Sequence, residues 1–480
     1  MTKVEKILVG GTWTKSAAGN TLDVTNPADG TLVGRVAYGS REDAKRALEA
    51  AQAALEPWSG MTPRERGKIL AAAGEVLRSN ADRIARLLTL ENGKPLPQSL
   101  GEINGSAENF TWYAEEGRRA YGRMVPSNTG AKRWMVIRRP VGVVASISPW
   151  NFPILLQARK IAPALAAGCT VVSKPASATP LVAVELMKCL REAGVPDGVV
   201  NLVTGPGREI AAEFLENPIC RKITFTGSTE AGRDLMRGAG DQITRVSLEL
   251  GGHAPLIVFA DADIKQAAEM APMGKFRNAG QVCIAPNRLY VHDAVYDDFV
   301  AAFVAKAKKM KVGNGLQKGV EVGPLIDEAT FTKTMDHIDD ATAKGAKVLC
   351  GGKRLTGKAY GKGLFVAPTV LVDVKENMLC MREETFGPVA PVTRFRSEDS
   401  VFKKANDTIY GLAGYAFTRS TKTLMHVAER LEAGIIGIND TVPAVAECPF
   451  GGLKQSGLGR EGGCEGLDAF LETKFVSIVL

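Results

Sequence analysis

Residues 141–147 read VGVVASI, a short apolar run suited to a strand that is buried on both faces of a sheet. A helical pattern follows at 158–167, and a second strand-like run, TVVSK, occupies 170–174. The same order then repeats, with a helix at about 180–193 and the strand-like run VVNLV at 199–203. This alternation predicts a parallel sheet joined by crossover helices.

The alternation continues toward the C-terminus. It includes a strand at 223–225 and a helix at 230–237, and a second series begins near 255–258, includes a helix at 297–309 and ends around Phe450. The predicted fold class is therefore α/β, with two Rossmann-like parallel-sheet domains.

The first third of the chain is predicted to be helical. Ser40 resembles a helix cap before the alanine-rich segment 44–55, and a helix is also predicted at 81–90. Between them, Thr62 is the expected cap of a helix that runs through Leu77, because proline follows it and glutamate stands three residues on. Two further strand-like segments, 133–137 and 475–479, lie outside both series and are typical of edge strands that need a partner.

Composition excludes several classes of protein. The 480 residues are 45% hydrophobic and 23% charged, which is typical of a globular protein with more than one domain. No apolar run is long enough for a membrane span and no signal peptide is present, so a cytoplasmic protein is expected. The net charge of +8 is not gathered into a stripe with aromatic residues, which argues against nucleic-acid binding but suits anionic ligands. The 8 cysteines contain no CxxC pair, and most, such as Cys169, are interpreted as small buried residues, so no metal site is expected.

Three segments carry the parts of a covalent acyl-transfer site. Cys283 ends the run FRNAGQVC at 276–283, Glu249 stands at the end of an apolar run before a glycine pair, and Asn151 lies between two prolines. A thiol, a carboxylate and an amide supply a nucleophile, a general base and an oxyanion donor.

These strings, with others along nearly the whole chain, resemble the aldehyde dehydrogenase superfamily. The resemblance implies that Cys283 is the nucleophile, Glu249 the base and Asn151 the oxyanion donor. Lys160 and Glu461 match residues that help relay protons in some relatives; the alternative is that both are exposed charges.

The resemblance also implies the domain organisation. The dinucleotide-binding domain is expected at 1–121 and 141–251, and the catalytic domain at 252–452. Residues 122–140 and 453–480 are expected to form a small β oligomerisation arm and the C-terminal tail of a homo-oligomer, either a dimer or a tetramer.

The expected cofactor is NADP or NAD. The segment from Gly205 to Ile210 only partly matches a dinucleotide fingerprint and is equally well a plain turn, whereas Ser228 opens a helix directly after a strand. Taken alone Ser228 is an ordinary helix cap; the resemblance makes its segment the pyrophosphate site. The predicted cofactor-binding residues are Trp150, Lys174, Ser177, Gly207, Gly227, Ser228, Leu250, Glu384 and Phe386.

Ser177 and Lys174 bear on the choice between the two cofactors. The position of Ser177 often carries a glutamate in the family, and that carboxylate repels a 2′-phosphate. A neutral serine beside Lys174 removes the repulsion. We therefore expect NADP to be accepted, and it is the candidate for the preferred cofactor.

Arg159 and Arg277 point to an anionic substrate, since a guanidinium binds a carboxylate in two parallel hydrogen bonds. Both match the carboxylate-binding arginines of succinate-semialdehyde dehydrogenases, and Phe152 is also expected at the substrate. Ala444 stands where these relatives often carry a substrate-binding serine, so 2-oxoglutarate semialdehyde and sulfonated or phosphonated short aldehydes remain alternatives. Ala285 replaces a second cysteine of some relatives, so no redox-switch disulfide is expected.

Two other functions are open at this point. A CoA-acylating relative is disfavoured by Glu249, because such enzymes tend to lack the hydrolytic glutamate. A non-catalytic protein that keeps the fold is disfavoured by the joint presence of Cys283, Glu249 and Asn151.

Overall fold

The computed structural model describes residues 3–480 of the chain. Within them the strands are β1 (Val4–Glu5), β2 (Ile7–Val9), β3 (Thr12–Thr14), β4 (Thr21–Thr25), β5 (Leu32–Ala37), β6 (Arg123–Val125), β7 (Lys132–Pro140), β8 (Val143–Ile147), β9 (Thr170–Lys174), β10 (Val200–Leu202), β11 (Cys220–Thr226), β12 (Arg245–Glu249), β13 (Ala254–Val258), β14 (Pro286–His292), β15 (Lys347–Cys350), β16 (Thr369–Val372), β17 (Val389–Phe395), β18 (Ala413–Phe417), β19 (Ile435–Ile438), β20 (Gly457–Leu458) and β21 (Leu471–Val479). The α-helices are α1 (Arg41–Gly60), α2 (Pro63–Ser79), α3 (Ala81–Asn92), α4 (Leu96–Glu116), α5 (Leu155–Ala167), α6 (Leu181–Glu192), α7 (Gly207–Glu216), α8 (Thr229–Gln242), α9 (Ile264–Phe276), α10 (Tyr296–Lys309), α11 (Glu328–Ala343), α12 (Leu379–Arg382), α13 (Glu398–Asn406), α14 (Thr421–Arg430) and α15 (Gly463–Asp468).

The first large sheet has the strand order β20-β12-β11-β8-β9-β10-β2-β3. Its centre, from β12 to β10, is parallel, and short antiparallel strands flank it on both sides. Successive residues of β8 pack into different cores: Val143 and Ala145 face α1 and α7, whereas Val144 faces α2 to α6. The predicted strand with two buried faces is therefore confirmed, and it begins at Val143 because Gly142 turns the chain at φ +122°.

The second large sheet has the order β15-β16-β17-β14-β13-β18-β19 and is parallel apart from the edge strand β15. The two α/β series of the sequence are thus two separate sheets, which confirms the predicted fold class. The domain bounds themselves stay a prediction. One strand of the expected C-terminal tail, β20, belongs to the first sheet, where it pairs with β12.

The two strand-like segments outside these sheets pair with each other. β7 and β21 run antiparallel over nine residues, from Lys132 opposite Val479 to Pro140 opposite Leu471, and β6 adds a third strand. Trp134 of β7 meets Phe475 of β21 edge to face at 6.2 Å.

The prediction that the first third of the chain is helical is partly right. The cap at Thr62 is confirmed: its Oγ1 accepts from the backbone N–H of Glu65 at 3.3 Å, and the Glu65 carboxylate accepts from the backbone N–H of Thr62 at 2.8 Å. However, the segment before α1 contains β1 to β5, which the sequence pattern did not reveal. Three of these strands, β1, β2 and β3, are only two or three residues long, below the length at which an alternating pattern can be recognised.

No helix within residues 3–480 combines the length and the apolar character that a membrane span requires.

Candidate active site

Cys283 lies in a sharply bent segment that leads into β14. Asn278, Ala279 and Gly280 all have positive φ, at 48°, 55° and 77°, so three consecutive residues adopt the left-handed conformation. A Cβ on Gly280 would lie 2.1 Å from the carbonyl oxygen of Gly387. Only glycine therefore allows these two backbone segments to lie so close together. The bend leaves the Cys283 side chain half-buried.

Two cavities meet at Cys283. The first, of about 310 Å³, opens at the carboxyl ends of β8, β11 and β12, and we call it the strand-end cavity. The second, of about 480 Å³, contains both predicted arginines, and we call it the arginine cavity. The strand-end cavity is lined by Pro149, Trp150, Asn151, Thr226, Gly227, Ser228, Leu250, Gly251, Cys283, Ala329, Thr330, Lys333, Glu384, Thr385 and Phe386. The residues of the arginine cavity that concern the chemistry are Glu102, Phe152, Arg159, Arg277, Cys283, Ala444 and Phe450.

Asn151 is buried beside the thiol. Its Nδ2 donates to the carbonyl oxygen of Gln281 at 3.2 Å, two residues before Cys283. Its Oδ1 has no hydrogen-bond partner in the described part of the chain. The amide therefore faces the nucleophile segment with its N–H donors, which is the orientation an oxyanion donor needs.

Glu249 ends β12, directly across from Thr226 of β11 in the parallel pair. The carboxylate is buried, and its Oε2 lacks a hydrogen-bond partner among residues 3–480. Burial, and next the neighbouring Glu461 carboxylate, raise the pKa of Glu249 well above its usual range. Glu249 lines neither cavity, yet it is near enough to Cys283 for its charge to help raise the pKa of the thiol.

The Cys283 thiol is itself held in its neutral form. Burial raises its pKa to about 12, the Glu384 carboxylate adds to this, and Arg159 and Arg277 oppose it. A thiol with a raised pKa needs a base in order to become a nucleophile.

Lys160 and Glu461 form a buried ion pair behind Glu249, in which Lys160 Nζ also donates to Thr226 Oγ1 at 2.6 Å. The alternative interpretation as exposed charges is wrong, because only 1% of Lys160 and 5% of Glu461 are exposed. Glu461 Oε2 has no hydrogen-bond partner among the described residues.

Arg159 and Arg277 both line the arginine cavity, although they are 118 residues apart in the sequence. The guanidinium of Arg159 stacks on the Phe450 ring at 4.3 Å, and that of Arg277 lies over the Phe152 ring at 5.1 Å. Within residues 3–480 neither guanidinium donates a hydrogen bond to a protein acceptor or forms an ion pair. Stacking fixes the orientation of each guanidinium plane, and the N–H groups at its edge remain available to a ligand.

Glu384 and Phe386 line the strand-end cavity opposite Trp150. Glu384 Oε1 accepts from the backbone N–H of Gly252 at 2.9 Å, and burial raises its pKa to about 7. Without the family resemblance Glu384 would be taken for a solvated loop residue, and that interpretation is wrong. Phe386, at φ +54°, packs edge to face on Trp150 at 5.5 Å.

Of the remaining predicted cofactor residues, Gly207 and Ser228 lie at the N-termini of α7 and α8, and Leu250 directly follows β12. Ser228 caps α8, and its side chain accepts from the backbone N–H of Ala231 at 3.2 Å. Lys174 ends β9 and points toward α7, since a Cβ on Gly207 would lie 3.7 Å from its Nζ. Burial lowers the pKa of Lys174 to about 8. Ser177 is exposed three residues further on.

These features fit a dinucleotide. Gly251 and Gly227 keep the strand-end cavity open: a Cβ on Gly251 would lie 2.9 Å from Glu384 Oε2, and one on Gly227 would lie 2.3 Å from the Phe225 ring. The N-terminus of α8 offers backbone N–H groups to a pyrophosphate. Lys174 and Ser177 do not line this cavity, and Lys174 lies near the start of α7.

Sequence reasoning missed several buried polar residues that hold the segment around Asn151. Asn92 Nδ2 donates to the carbonyl oxygen of Trp150 at 2.9 Å, and Lys94 Nζ donates to that of Asn151 at 2.6 Å. Asn278 Nδ2 reaches the same Asn151 oxygen at 3.0 Å. The one available signal was the polar run ENGK at 91–94, at the end of a predicted helix.

Comparison with known proteins agrees with this geometry. The profile of the aldehyde dehydrogenase family matches residues 13–476. The chain is 47% identical over 477 residues to the succinate-semialdehyde dehydrogenase [NADP(+)] of Escherichia coli (strain K12), covering 99% of this chain and 98% of that one. It is also 47% identical over 474 residues to the glutarate-semialdehyde dehydrogenase of Pseudomonas aeruginosa, covering 99% and 97%. The solved succinate-semialdehyde dehydrogenase of Burkholderia pseudomallei superposes with a TM-score of 0.97 at 44% identity, over 100% of this chain and 98% of that one.

Proposed function

The chain belongs to the aldehyde dehydrogenase family, and from that premise we propose that it oxidises a short anionic semialdehyde to its carboxylate, with succinate semialdehyde as the first candidate. It is an NAD(P)-dependent oxidoreductase. The proposal concerns the substrate and the roles of individual residues.

The observation that carries the proposal is the pair of unpartnered guanidinium groups next to the nucleophile. Arg159 and Arg277 line the same cavity as Cys283, and no acceptor in residues 3–480 takes their hydrogen bonds. Buried cations without a counter-ion are costly, so a site that keeps two of them is built for an anion. If the two arginines bind the carboxylate, the aldehyde at the other end of a short substrate lies at the Cys283 thiol.

The chemistry follows from the groups at the meeting point of the two cavities. Cys283, once its thiol has lost a proton to a base, attacks the aldehyde carbon and forms a thiohemiacetal. Asn151 Nδ2 and the Cys283 backbone N–H stabilise the oxyanion. NAD(P) held in the strand-end cavity, between Trp150 and Phe386, would supply the hydride acceptor that conversion of this adduct into a thioester requires. Glu249 then takes a proton from the water that releases the carboxylate.

Lys160 and Glu461 complete the route for protons. The Glu249 carboxylate is buried and receives a proton in each turnover, so a neighbouring relay must remove it. Glu461, whose charge already raises the pKa of Glu249, is the next acceptor, and Lys160 holds it in place.

We propose that both cofactors are accepted and that Lys174 favours NADP. The Nζ of Lys174 has no acidic partner among the described residues, and burial lowers its pKa. A phosphate near the start of α7 would restore a full charge to it. The neutral Ser177 leaves room for that phosphate without repulsion.

The length of the anion is the open question within this proposal. Ala444, in the wall of the arginine cavity, gives no hydroxyl to a carboxylate. Glutarate semialdehyde, 2-oxoglutarate semialdehyde and short sulfonated aldehydes satisfy the same two arginines. Assembly as a homo-oligomer, with β21 in the contact, and a cytoplasmic location also stay predictions.

A panel of aldehydes assayed with each cofactor tests the proposal. It contains succinate and glutarate semialdehyde and, as the matched uncharged control, the methyl ester of succinate semialdehyde. We expect kcat/KM for the anions to exceed that for the ester by about 100-fold, as a charged hydrogen-bonded pair requires. Equal values for acid and ester would refute an anionic substrate. Turnover that requires CoA would instead support an acylating enzyme.

A further inference from the structure

We propose that Lys94 sets the preference for an anionic aldehyde, by neutralising the carboxylate of Glu102 in the wall of the arginine cavity. The inference rests on the proposed function, since it concerns the same two arginines.

Glu102 places a carboxylate in the wall of the cavity that we propose binds the carboxylate of the substrate. It belongs to α4, lines the arginine cavity and is 3% exposed. Its Oε1 accepts from the backbone N–H groups of Ile154 at 3.0 Å and Leu155 at 3.3 Å, at the start of α5. These bonds fix the carboxylate at the beginning of the helix that carries Arg159.

Lys94 is the counter-ion of Glu102. Its Nζ donates to Glu102 Oε2 at 2.5 Å, and both side chains are fully buried. The same Nζ donates to the Asn151 carbonyl oxygen at 2.6 Å and lies 4.1 Å from the centre of the Phe152 ring. One ammonium group therefore connects the acid, the oxyanion donor segment and the ring over which Arg277 lies.

The backbone at Lys94 is fixed as firmly as its side chain. A Cβ on Gly315 would lie 2.5 Å from the Lys94 carbonyl oxygen, and one on Gly323 would lie 3.4 Å from the Lys94 Cα. The close approach of two glycines therefore fixes the position of the Lys94 backbone.

The electrostatic consequence reaches Arg277. The pKa of Arg277 is lowered chiefly by burial, and the groups that oppose this include Glu102. Without Lys94, Glu102 would be a buried carboxylate whose remaining cation in reach is Arg277. The protein's own acid would then compete with the substrate for that guanidinium.

The test compares selectivity rather than activity alone. In Lys94→Met, we expect KM for succinate semialdehyde to rise about tenfold or more, as when one partner of a buried charge pair is removed. KM for the methyl ester should stay near that of the unmodified enzyme. The kcat for both substrates should fall together, because Asn151 loses a donor in either case. The ratio of the two kcat/KM values therefore isolates the effect of charge.

The double variant Lys94→Met/Glu102→Gln provides the rescue, since it removes the acid together with its partner. We expect the acid-to-ester ratio to return toward that of the unmodified enzyme. The matched control is Glu91→Gln: Glu91 is also a buried glutamate that accepts two backbone N–H groups at a helix start, from Leu181 and Val182, but it does not line the arginine cavity. Its substitution should leave the ratio unchanged.

An unchanged ratio in Lys94→Met overturns the inference, and so does a lowered ratio that the double variant fails to restore. If Lys94→Met does not fold, Glu102→Gln alone is decisive. It leaves the cavity more positive and should lower KM for the acid but not for the ester, and equal effects on both overturn the inference. If the unmodified enzyme shows no preference for acid over ester, it is the proposed function that fails.

Discussion

Replacing Arg159 by glutamine tests the anionic substrate most directly. Arg159 is 5% exposed, and its guanidinium is held at 4.3 Å on the Phe450 ring with no protein acceptor. Glutamine keeps a hydrogen-bond donor and much of the volume but removes the charge. The substitution therefore subtracts one charged contact from the cavity without opening a large void.

The magnitude follows from burial. A hydrogen bond to a charged group contributes about 1.5–3 kcal/mol. Each 1.4 kcal/mol corresponds to about tenfold in affinity, so KM for succinate semialdehyde should rise about 10- to 100-fold. Arg277→Gln should act in the same direction, and the double variant should exceed either single one.

The assay follows reduction of the cofactor at varied concentrations of the acid and of its methyl ester. We expect KM for the ester to change by less than about threefold, since no charged contact is lost. Phe450→Leu is the matched control, because it removes the stacking but keeps the guanidinium and should weaken acid binding less. A KM for the acid that stays within about twofold in Arg159→Gln contradicts the reasoning.

Three further substitutions and one pH profile probe the other parts of the site. Glu249→Gln should slow thioester hydrolysis about 100-fold or more, giving a burst of reduced cofactor and an acyl-enzyme at Cys283 visible by mass spectrometry; a slow first turnover without a burst would contradict this. Burial raises the pKa of Cys283 to about 12 and that of Glu249 well above its usual range, so both groups lose their protons only as pH rises. Turnover should therefore increase from neutral to alkaline pH. A turnover rate that does not change with pH would contradict these pKa shifts. Ser177→Glu should lower kcat/KM with NADP about tenfold or more by repulsion of the 2′-phosphate and leave NAD little affected, whereas parallel losses with both would speak against Lys174 as the phosphate ligand. Ala444→Ser should lower KM for succinate semialdehyde by about fivefold through one added hydrogen bond, and an unchanged value would place the carboxylate elsewhere.

Much of the fold was predictable because its strands are buried on both faces. An apolar run such as 141–147 is conspicuous in sequence, and the helix starts at Thr62 and Ser228 have side chains of the right type for a cap. The first third was expected to be helical, but the sequence pattern assigned no separate helix to the segment that forms α4, Leu96–Glu116. It contains Gly101 and Gly105, which disfavour a helix locally, and it forms because Ile103, Ala107 and Phe110 pack in the core.

The buried charges were the part of the site that sequence could not provide. Glu102 and Lys94 are polar residues that in sequence look like solvated positions, yet both side chains are fully buried. Lys94 is buried because its acceptor at Asn151 comes from 57 residues away, and a pattern of local spacing contains no such information. The arginines were accessible only through resemblance to relatives, since an isolated arginine is usually exposed.

The convergence of the three proposed catalytic groups, Asn151, Glu249 and Cys283, depends on how the two sheets approach each other. Asn151 follows β8 and Glu249 ends β12, and β11 lies between these parallel strands, so both groups must appear at one edge of the first sheet. Cys283 instead precedes β14 of the second sheet, and nothing in the pattern of either series brings it to that edge. The approach is set at Gly252, where a Cβ would lie 2.3 Å from the Cys283 carbonyl oxygen. Asn278 adds a hydrogen bond across the same gap, to the Asn151 carbonyl oxygen. Gly252, three residues after the proposed base Glu249, therefore determines how closely Cys283 can approach. The site depends on this contact between the two sheets more than on any single strand or helix.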